Sequence, residues 1–469
     1  MKTLLPLLAT LALATTAARA QFPNFPAADR VLGAANFTTV GAAAPTPAGF
    51  SFPTGLAIDP LTGKLFVASS NQSRILRFPD TTTLANGANA EVVFGQVNFS
   101  GVSAGSTGMK FDSPRGLHVD AKGRLWVADS ANNRVLMFQG ASTLVATPDL
   151  VLGQPDFATN TSGTSSSVMN RPIGVFVDAA DNLWVADFNN HRVLKFAAVS
   201  NLGDGAAATA VLGQPDFITG TSGISAVKMN GPSAVSVDGG GRLWVADRDN
   251  HRVVRYDAAA SLGNGASASG VLGQPDFTTN GADATDREMD VPLAVLVDPA
   301  GTLYVSDANN SRVLLFKNAA TKVNGAAADG VIGQADFTTN SSATTERKLN
   351  GPDAGLAMDA AGRLWVADSA NHRLLRYSPD GTAAPPRITT RVPGSTSRAS
   401  LVLKGTAADS SGVKEVRFRV GRGVFRKAAG TTAWRLTARL NPGPNTIEVV
   451  MEDAVGNVSA AKTVRVRRG

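Results

Sequence analysis

The segment Trp244–Val254 reads WVADRDNHRVV, and two further segments nearly repeat it, WVADFNNHRVL at Trp184–Leu194 and WVADSANHRLL at Trp365–Leu375. An aspartate that opens a tight turn precedes each segment. Counterparts of this aspartate recur at spacings of 61, 58, 60, 60 and 61 residues, as Asp59, Asp120, Asp178, Asp238, Asp298 and Asp359. A fixed period of this kind indicates a repeat architecture, here with six units.

Each unit contains four short apolar runs. In the fourth unit these are Ala234–Val237, Leu243–Ala246, Val253–Tyr256 and Gly270–Leu272. A second marker also occurs six times, complete as VLGQPDF or with substitutions, at Val31, Val93, Val151, Val211, Val271 and Val331. Four short strands per unit predict an all-β fold, a six-bladed β-propeller, whereas a helical solenoid would show apolar residues at a 3.6-residue period.

The order of the markers predicts how the ring closes. The first VLG run, at Val31, precedes every other strand, and the last unit ends near Tyr377 without a VLG run of its own. We therefore expect residues 30–33 to supply the outer strand of the last blade. This arrangement pairs strand edges that would otherwise be open.

The repeated turn segments resemble the NHL repeat, named for its Asn-His-Leu signature, and the resemblance covers residues 25–378. It implies a six-bladed propeller of a family that includes binding scaffolds, sensor domains and a few lyases. The first unit departs most, because Phe66–Arg74 lacks both the Asp and the His, and the fifth unit has Ser311 at the His position.

Most repeated residues have a structural explanation. A large ring at one position of the second strand is expected to fill the wedge between adjacent sheets, as Phe66, Trp126, Trp184, Trp244, Tyr304 and Trp365. In the five repeats other than the first, an aspartate stands five residues before an arginine across the tight turn, for example Asp187 and Arg192. We expect this carboxylate to bind turn N–H groups and the guanidinium together.

The two ends of the chain differ from the repeats. Residues 1–20 are predicted to be a signal peptide, with Lys2, an apolar stretch and an Ala18-Arg19-Ala20 cleavage site. The protein is therefore expected to be secreted, periplasmic or associated with the cell surface. Cysteine is absent, which excludes disulfides and thiolate chemistry. No other apolar run approaches the roughly 20 residues of a membrane-spanning helix.

After the propeller (21–378), residues 379–386 are expected to be a linker and 387–469 a second domain. Apolar and basic residues alternate there, which predicts half-buried antiparallel strands of a small β-sandwich. Asp409–Val420 and Asn441–Ser459 resemble bacterial immunoglobulin-like modules. From Pro385 onward, 16 Lys and Arg face 5 Asp and Glu, a net charge of +11. Two interpretations of this charge remain open. One is a solvated strand face, and the other is docking to an anionic envelope polymer, glycan or lipid through Arg417, Arg419, Arg465 and Arg467.

Residues that vary at a repeated position are candidates for function. Near the mouth of the channel, just before the small residue of the innermost strand, they are Thr54, Arg115, Ile173, Ser233, Leu293 and Ala354. His118 shares a strand with Arg115 and is the only histidine at its repeated position. We expect Arg115, His118 and Ser233 to lie near the channel mouth, where Arg115 and His118 suit a small anion. A solvated arginine and a buried structural histidine are the alternatives.

Metal and nucleic-acid binding are not expected. His191, His251 and His372 lie on turns of separate sheets, which stack about 10 Å apart, whereas Zn–N bonds are about 2.1 Å, so the three cannot share one ion. The zinc-dependent amidating lyases of this superfamily need several channel histidines that this chain lacks. Residues 21–384 carry 26 Lys and Arg against 32 Asp and Glu, which disfavours nucleic acid.

The sequence thus predicts a monomeric, non-enzymatic binding or scaffold protein without a cofactor, metal or catalytic residue. Its propeller loop face would bind a protein, a peptide or a carbohydrate, and the basic immunoglobulin-like domain would be a spacer or envelope anchor. The alternative is a lyase or hydrolase acting in the central channel. Against an enzyme stands the lack of a nucleophile motif, a paired-carboxylate signature or a histidine cluster.

Overall fold

The computed structural model describes residues 22–107, 109–143, 147–380, 385–409, 412–453 and 458–469. The chain forms two compact units, one of Asn24–Ser378 and a second that includes Pro379–Gly469. Regular structure in the described residues consists of β-strands and 3-10 helices of three residues each. The predicted signal peptide and residues 381–384 of the predicted linker lie outside the described residues.

Twenty-four strands build the first unit. They are β1 (Arg30–Leu32), β2 (Pro53–Ile58), β3 (Lys64–Ser69), β4 (Arg74–Asp80), β5 (Val92–Phe94), β6 (Pro114–Val119), β7 (Leu125–Asp129), β8 (Arg134–Phe138), β9 (Leu150–Leu152), β10 (Pro172–Val177), β11 (Leu183–Asp187), β12 (Arg192–Phe196), β13 (Ala210–Leu212), β14 (Pro232–Val237), β15 (Leu243–Asp247), β16 (Arg252–Tyr256), β17 (Gly270–Leu272), β18 (Pro292–Val297), β19 (Leu303–Asp307), β20 (Arg312–Phe316), β21 (Gly330–Ile332), β22 (Pro352–Met358), β23 (Leu364–Asp368) and β24 (Arg373–Tyr377).

Short 3-10 helices connect some of these strands. Five follow the second strand of a sheet: Ser70–Gln72, Ser130–Asn132, Phe188–Asn190, Arg248–Asn250 and Ser369–Asn371. Three follow the third strand: Val199–Asn201, Ala259–Ser261 and Ala319–Thr321.

These strands form four-stranded antiparallel sheets. We number them I (β2–β5), II (β6–β9), III (β10–β13), IV (β14–β17), V (β18–β21) and VI (β22–β24 with β1). In sheet VI, β1 pairs with β24 through Val31 opposite Leu375. The prediction of an all-β, propeller-like fold is confirmed at this level.

The first strands of the six sheets pack against one another in chain order, and β22 also packs against β2. Between the sheets lie the aromatic rings of the second strands. Trp126 of sheet II, for example, is buried in a cluster with Val175 and Val185 of sheet III. The expectation that these rings fill the wedge between sheets is confirmed there and for Phe66, Trp184, Trp244 and Trp365.

Buried aspartate–arginine pairs hold the long loops between sheets. Asp187 Oδ2 accepts a hydrogen bond from Arg192 Nε at 2.7 Å, and both side chains are fully buried. Its Oδ1 accepts the backbone N–H of Asn170, which precedes β10, and its Oδ2 also accepts the side-chain amide N–H of Asn190 in the adjacent turn at 2.8 Å. The Arg192 guanidinium also donates to the carbonyls of Phe217 and Ser165. Pairs of this kind therefore fix the start of the first strand in sheets II to VI.

The second unit contains two sheets. Its strands are β25 (Arg387–Ile388), β26 (Ser395–Thr396), β27 (Ser400–Thr406), β28 (Val413–Val420), β29 (Arg426–Lys427), β30 (Ala433–Arg439), β31 (Gly443–Asp453) and β32 (Lys462–Arg468). One sheet has the order β25-β27-β30 and the other β26-β32-β31-β28-β29. Leu403, Leu436, Val416, Ile447 and Val464 share one core, so the two sheets pack face to face. No helix among the described residues is long and apolar enough to cross a bilayer.

Candidate functional site

A cavity of about 390 Å³ opens where the first strands begin, and we call it the mouth cavity. All six sheets contribute to its wall: Phe52, Arg115, Arg171, Ile173, Phe188, Arg248, Val291, Leu293, Ala308, Asn309, Gly351 and Asp353. The wall therefore combines apolar side chains with a few charged groups. This combination is typical of sites that bind small ligands.

Three arginines and one aspartate supply the charge of the mouth cavity. Asp353 is 5% exposed and accepts one short hydrogen bond, from the N–H of Ala354 at 2.7 Å. Within the described residues, Asp353 forms no ion pair shorter than 4 Å, and neither do Arg115 and Arg171. The Nε atoms of Arg115 and Arg248 are buried and lack a hydrogen-bond partner there. The cavity thus contains charged groups with few hydrogen bonds and ion pairs among the described residues.

Electrostatics couple these groups. Burial raises the pKa of Asp353, and the nearby Arg115 and Arg248 guanidinium groups oppose that shift. Burial likewise lowers the pKa of Arg115; Asp353 opposes the shift, whereas Arg171 and Arg248 add to it. Three cations near one another repel, so an anion in the cavity would relieve an unfavourable charge distribution.

An aromatic ring supports two of the arginines. The guanidinium carbons of Arg171 and Arg248 lie 5.9 and 5.4 Å from the centre of the Phe188 ring, within the range of cation–π attraction. Arg248 also lies 3.3 Å from Asp249, an exposed pair of small energetic value.

Strained backbone surrounds the mouth. In each sheet the residue before the first proline has a positive φ, including Phe52 at 56°, Arg171 at 56° and Val291 at 57°. Such a conformation is unusual for a residue with a side chain and an outlier for a β-branched one. Strain of this kind, about 1–3 kcal/mol per residue, clusters at functional sites. Here it places Phe52, Arg171 and Val291 in the cavity wall.

The turn histidines hold this strained backbone. His191 Nδ1 accepts the N–H of Gly231 at 3.0 Å, His251 Nδ1 that of Val291 at 3.1 Å, and His372 Nδ1 that of Phe52 at 3.1 Å. Asn133 does the same for Arg171 with its Oδ1 at 2.9 Å. The histidines therefore join neighbouring sheets, which explains why another hydrogen-bond acceptor can replace them.

The three residues predicted at the mouth lie in two different places. Arg115 lines the mouth cavity, whereas His118 and Ser233 line a separate cavity of about 180 Å³ between the first strands, the channel cavity. Ser233 is fully buried and donates to the Pro292 carbonyl of the next sheet at 3.1 Å. Arg115 and His118 are thus not brought together as a basic pair.

His118 is a neutral group of the channel wall. Its ring centre lies 4.4 Å from that of Phe176. Burial lowers its pKa to about 4, although the Asp120 carboxylate and a hydrogen bond with the Val177 backbone act in the opposite direction. At neutral pH it therefore offers no positive charge to an anion.

The sequence did not predict three charged residues of the mouth cavity, which are Arg171, Arg248 and Asp353. Two of them, Arg171 and Arg248, occupy repeated positions other than the one at which variation was noted. Arg171 stands before Pro172, and Arg248 follows the Asp of the WVAD segment. Asp353 was missed because β22 has one extra residue. Pro352 to Leu356 spans one residue more than Pro114 to Leu117 between the same paired positions. The residue after the proline, equivalent to Arg115, is therefore Asp353, not Ala354.

Ion pairing divides the four arginines predicted to anchor the second unit. Arg417 lies 2.8 Å from Glu452 and Arg419 lies 2.6 Å from Glu448, so neighbouring carboxylates offset their charges. Arg465 and Arg467 are exposed and have no carboxylate within 4 Å among the described residues. Carboxylates therefore offset the charges of two of these four arginines, and the other two have no carboxylate within 4 Å among the described residues.

One group of carboxylates in the second unit could in principle contact a cation. Single oxygen atoms of Asp380, Asp409 and Asp453 lie within 4.8 Å of one another. Three such ligands are fewer than the six to eight oxygens that Ca²⁺ takes. The cluster by itself does not define a metal site.

The sheets and the repeated turn motif define a protein built from NHL repeats, and residues 354–377 match the family described as NHL repeat. Residues 6–316 match the family described as Teneurin NHL domain, and the chain belongs to that family. Teneurin-3 of Danio rerio is 27% identical over 316 residues, which are 62% of this chain and 11% of that protein. The chain therefore spans about a tenth of the length of this relative.

Other similar proteins have varied names. Protein SUPPRESSOR OF QUENCHING 1, chloroplastic, of Arabidopsis thaliana is 27% identical over 352 residues, 70% of this chain and 30% of that protein. A streptogramin B lyase structure covers 70% of this chain and 93% of its own at 13% identity, with a TM-score of 0.41. A putative gluconolactonase covers 78% and 97% at 13% identity, with a TM-score of 0.43. Neither structure assigns an activity to this chain.

Proposed function

We propose that this protein is an exported, non-enzymatic binding protein whose mouth cavity receives part of a protein, peptide or carbohydrate ligand. Its first unit would be a six-bladed propeller closed by the N-terminal strand. The pairing of β1 with β24 and the packing of β22 against β2 support that closure. The predicted signal peptide supports a secreted, periplasmic or cell-surface location.

The mouth cavity is the observation that carries this proposal. Repeated charged residues, such as Asp187 and Arg192, form hydrogen bonds and ion pairs within the fold. Arg115 and Asp353 occur once at their repeated position and have few partners among the described residues. Buried charge without a partner costs stability, so a benefit outside folding is the simplest reason to retain it.

The second unit would be an immunoglobulin-like spacer or envelope anchor. Its face-to-face sheets and shared core support a sandwich. Arg465 and Arg467 are the better candidates for contact with an anionic surface, because no carboxylate among the described residues offsets them within 4 Å.

Screening of the full mature chain on glycan and peptide arrays, followed by calorimetry on the hits, would test the proposal. Arg248→Ser removes one mouth charge. Arg242→Ser is the matched control, because Arg242 immediately precedes β15 as Arg248 immediately follows it, is similarly exposed and stands outside the mouth cavity. We expect Arg248→Ser to weaken binding at least tenfold, since charged hydrogen bonds contribute about 1.5–3 kcal/mol.

Three outcomes would contradict the proposal. Equal binding by both variants would show that the mouth cavity does not contact the ligand. Failure to bind any glycan or peptide on the arrays would contradict the proposed binding function. Turnover of a bound ligand into a product would indicate an enzyme instead.

A further inference from the structure

The charges of the mouth cavity restrict the chemistry of its ligand. Arg115, Arg171 and Arg248 give three positive charges against the one negative charge of Asp353. Guanidinium groups bind carboxylate and phosphate well, because their planar N–H groups match the spacing of two oxygens. One part of the ligand should therefore be an anionic oxygen group.

Asp353 indicates a second feature of the ligand. A carboxylate can accept about four hydrogen bonds, and the described residues donate one short bond to it. A bare anion would leave Asp353 unused and would be repelled by it. A ligand hydroxyl fits better than an ammonium group: it can donate to a carboxylate and accept from a protonated one, and burial raises the pKa of Asp353.

Size and wall chemistry limit the ligand further. A cavity of about 390 Å³ lies within the roughly 300–1,000 Å³ range of small-molecule pockets and has room for a ligand of monosaccharide size. Phe52 adds an aromatic surface that can contact the C–H face of a sugar ring.

We propose that the mouth cavity binds an acidic monosaccharide unit, with its carboxylate or phosphate against the three arginines and a hydroxyl group against Asp353. This inference rests on the proposed function, because it names the ligand class of the same cavity. The unit can be a free sugar acid or the terminal residue of a longer glycan, since both present the same groups.

Calorimetry with the full mature chain distinguishes the possibilities. The probes are D-glucuronate, glucose 6-phosphate, D-glucose, L-glutamate and inorganic phosphate, and a glucuronate-terminated oligosaccharide tests the glycan source. We expect binding of at least one acidic sugar and none of glucose. Asp353→Asn keeps the size and the acceptor oxygen but removes the negative charge. It should weaken acidic-sugar binding about tenfold and leave phosphate binding equal or tighter.

The opposite responses of the two probes separate a specific site from general attraction to anions. Tighter binding of both sugar and phosphate by Asp353→Asn would overturn the inference. So would binding of glutamate without binding of either acidic sugar. If no probe binds but an array ligand still requires Arg248, the inference fails while the proposed function stands. If array binding is independent of the mouth, both fail.

Discussion

The two kinds of Asp–Arg neighbourhood in the first unit differ in how completely their hydrogen-bonding groups are used. Asp187 and Arg192 are fully buried, lie 2.7 Å apart and bind backbone groups of the adjoining loops. Asp353 and Arg115 lie in the mouth cavity with no ion pair shorter than 4 Å among the described residues. The same residue types therefore serve the fold where they are satisfied and remain available to a ligand where they are not.

The largest expected effect comes from breaking a satisfied pair. Asp187→Ala leaves the Arg192 guanidinium buried without its carboxylate, which should lower the free energy of unfolding by about 3–5 kcal/mol. Urea unfolding at neutral pH measures this loss. Asp156→Ala is the control, because Asp156 is exposed and binds only N–H and hydroxyl groups of its own turn. A loss no larger than that of the control would contradict the structural role of the pair.

The next effect concerns His118 and acid. In the unfolded chain this imidazole binds a proton below pH about 6.5, whereas in the folded protein its pKa is about 4. Stability that is present above pH about 6.5 is therefore lost as the pH falls toward 4, by up to about 3 kcal/mol.

His118→Phe removes this titration while keeping an aromatic ring against Phe176. The difference in unfolding free energy between wild type and variant should shift in favour of the variant between pH 7 and pH 4.5. A difference that stays constant with pH would show that the channel does not hold the imidazole neutral.

A smaller effect is expected at the turn histidines that support the mouth. His251→Ala removes the acceptor for the Val291 N–H, at a residue with a φ of 52°, and should cost about 1–2 kcal/mol. His251→Asn should retain most of the stability, because Asn133 does the same work in sheet II and asparagine tolerates this conformation. Equal losses in the two variants, measured by urea unfolding, would argue against the hydrogen bond.

The smallest effect concerns the second unit. Arg465→Ser and Arg467→Ser should each weaken retention of the full chain on anionic vesicles by about 1 kcal/mol, whereas Arg417→Ser and Arg419→Ser should have less effect because Glu452 and Glu448 offset these arginines. Retention should also fall between 0.1 M and 1 M salt. Salt-insensitive retention, or equal losses of retention for all four variants, would contradict the proposed anchoring role of the second unit.

The sequence predicts the repeated part of the fold well and the mouth poorly. The strands of sheet IV, which is the fourth repeat, start and end within two residues of their predicted bounds, because turns and apolar runs are local signals. Arg115 was found because it varies at a repeated position. Asp353 was missed because one extra residue in β22 changes the alignment. Arg171 and Arg248 were missed because they reach the cavity from loop and turn positions, and their meeting depends on how the sheets surround the channel.

The most direct test of the central claim is the stability of Arg115→Met at neutral pH in the absence of ligand. Methionine keeps an unbranched side chain but removes a partly buried cation whose Nε has no partner among the described residues. The proposal that the mouth charges serve a ligand and not the fold predicts that the free energy of unfolding stays equal or rises by about 1 kcal/mol. A loss of about 3–5 kcal/mol, comparable with that expected for Asp187→Ala, would mean that Arg115 serves the fold and would contradict the account.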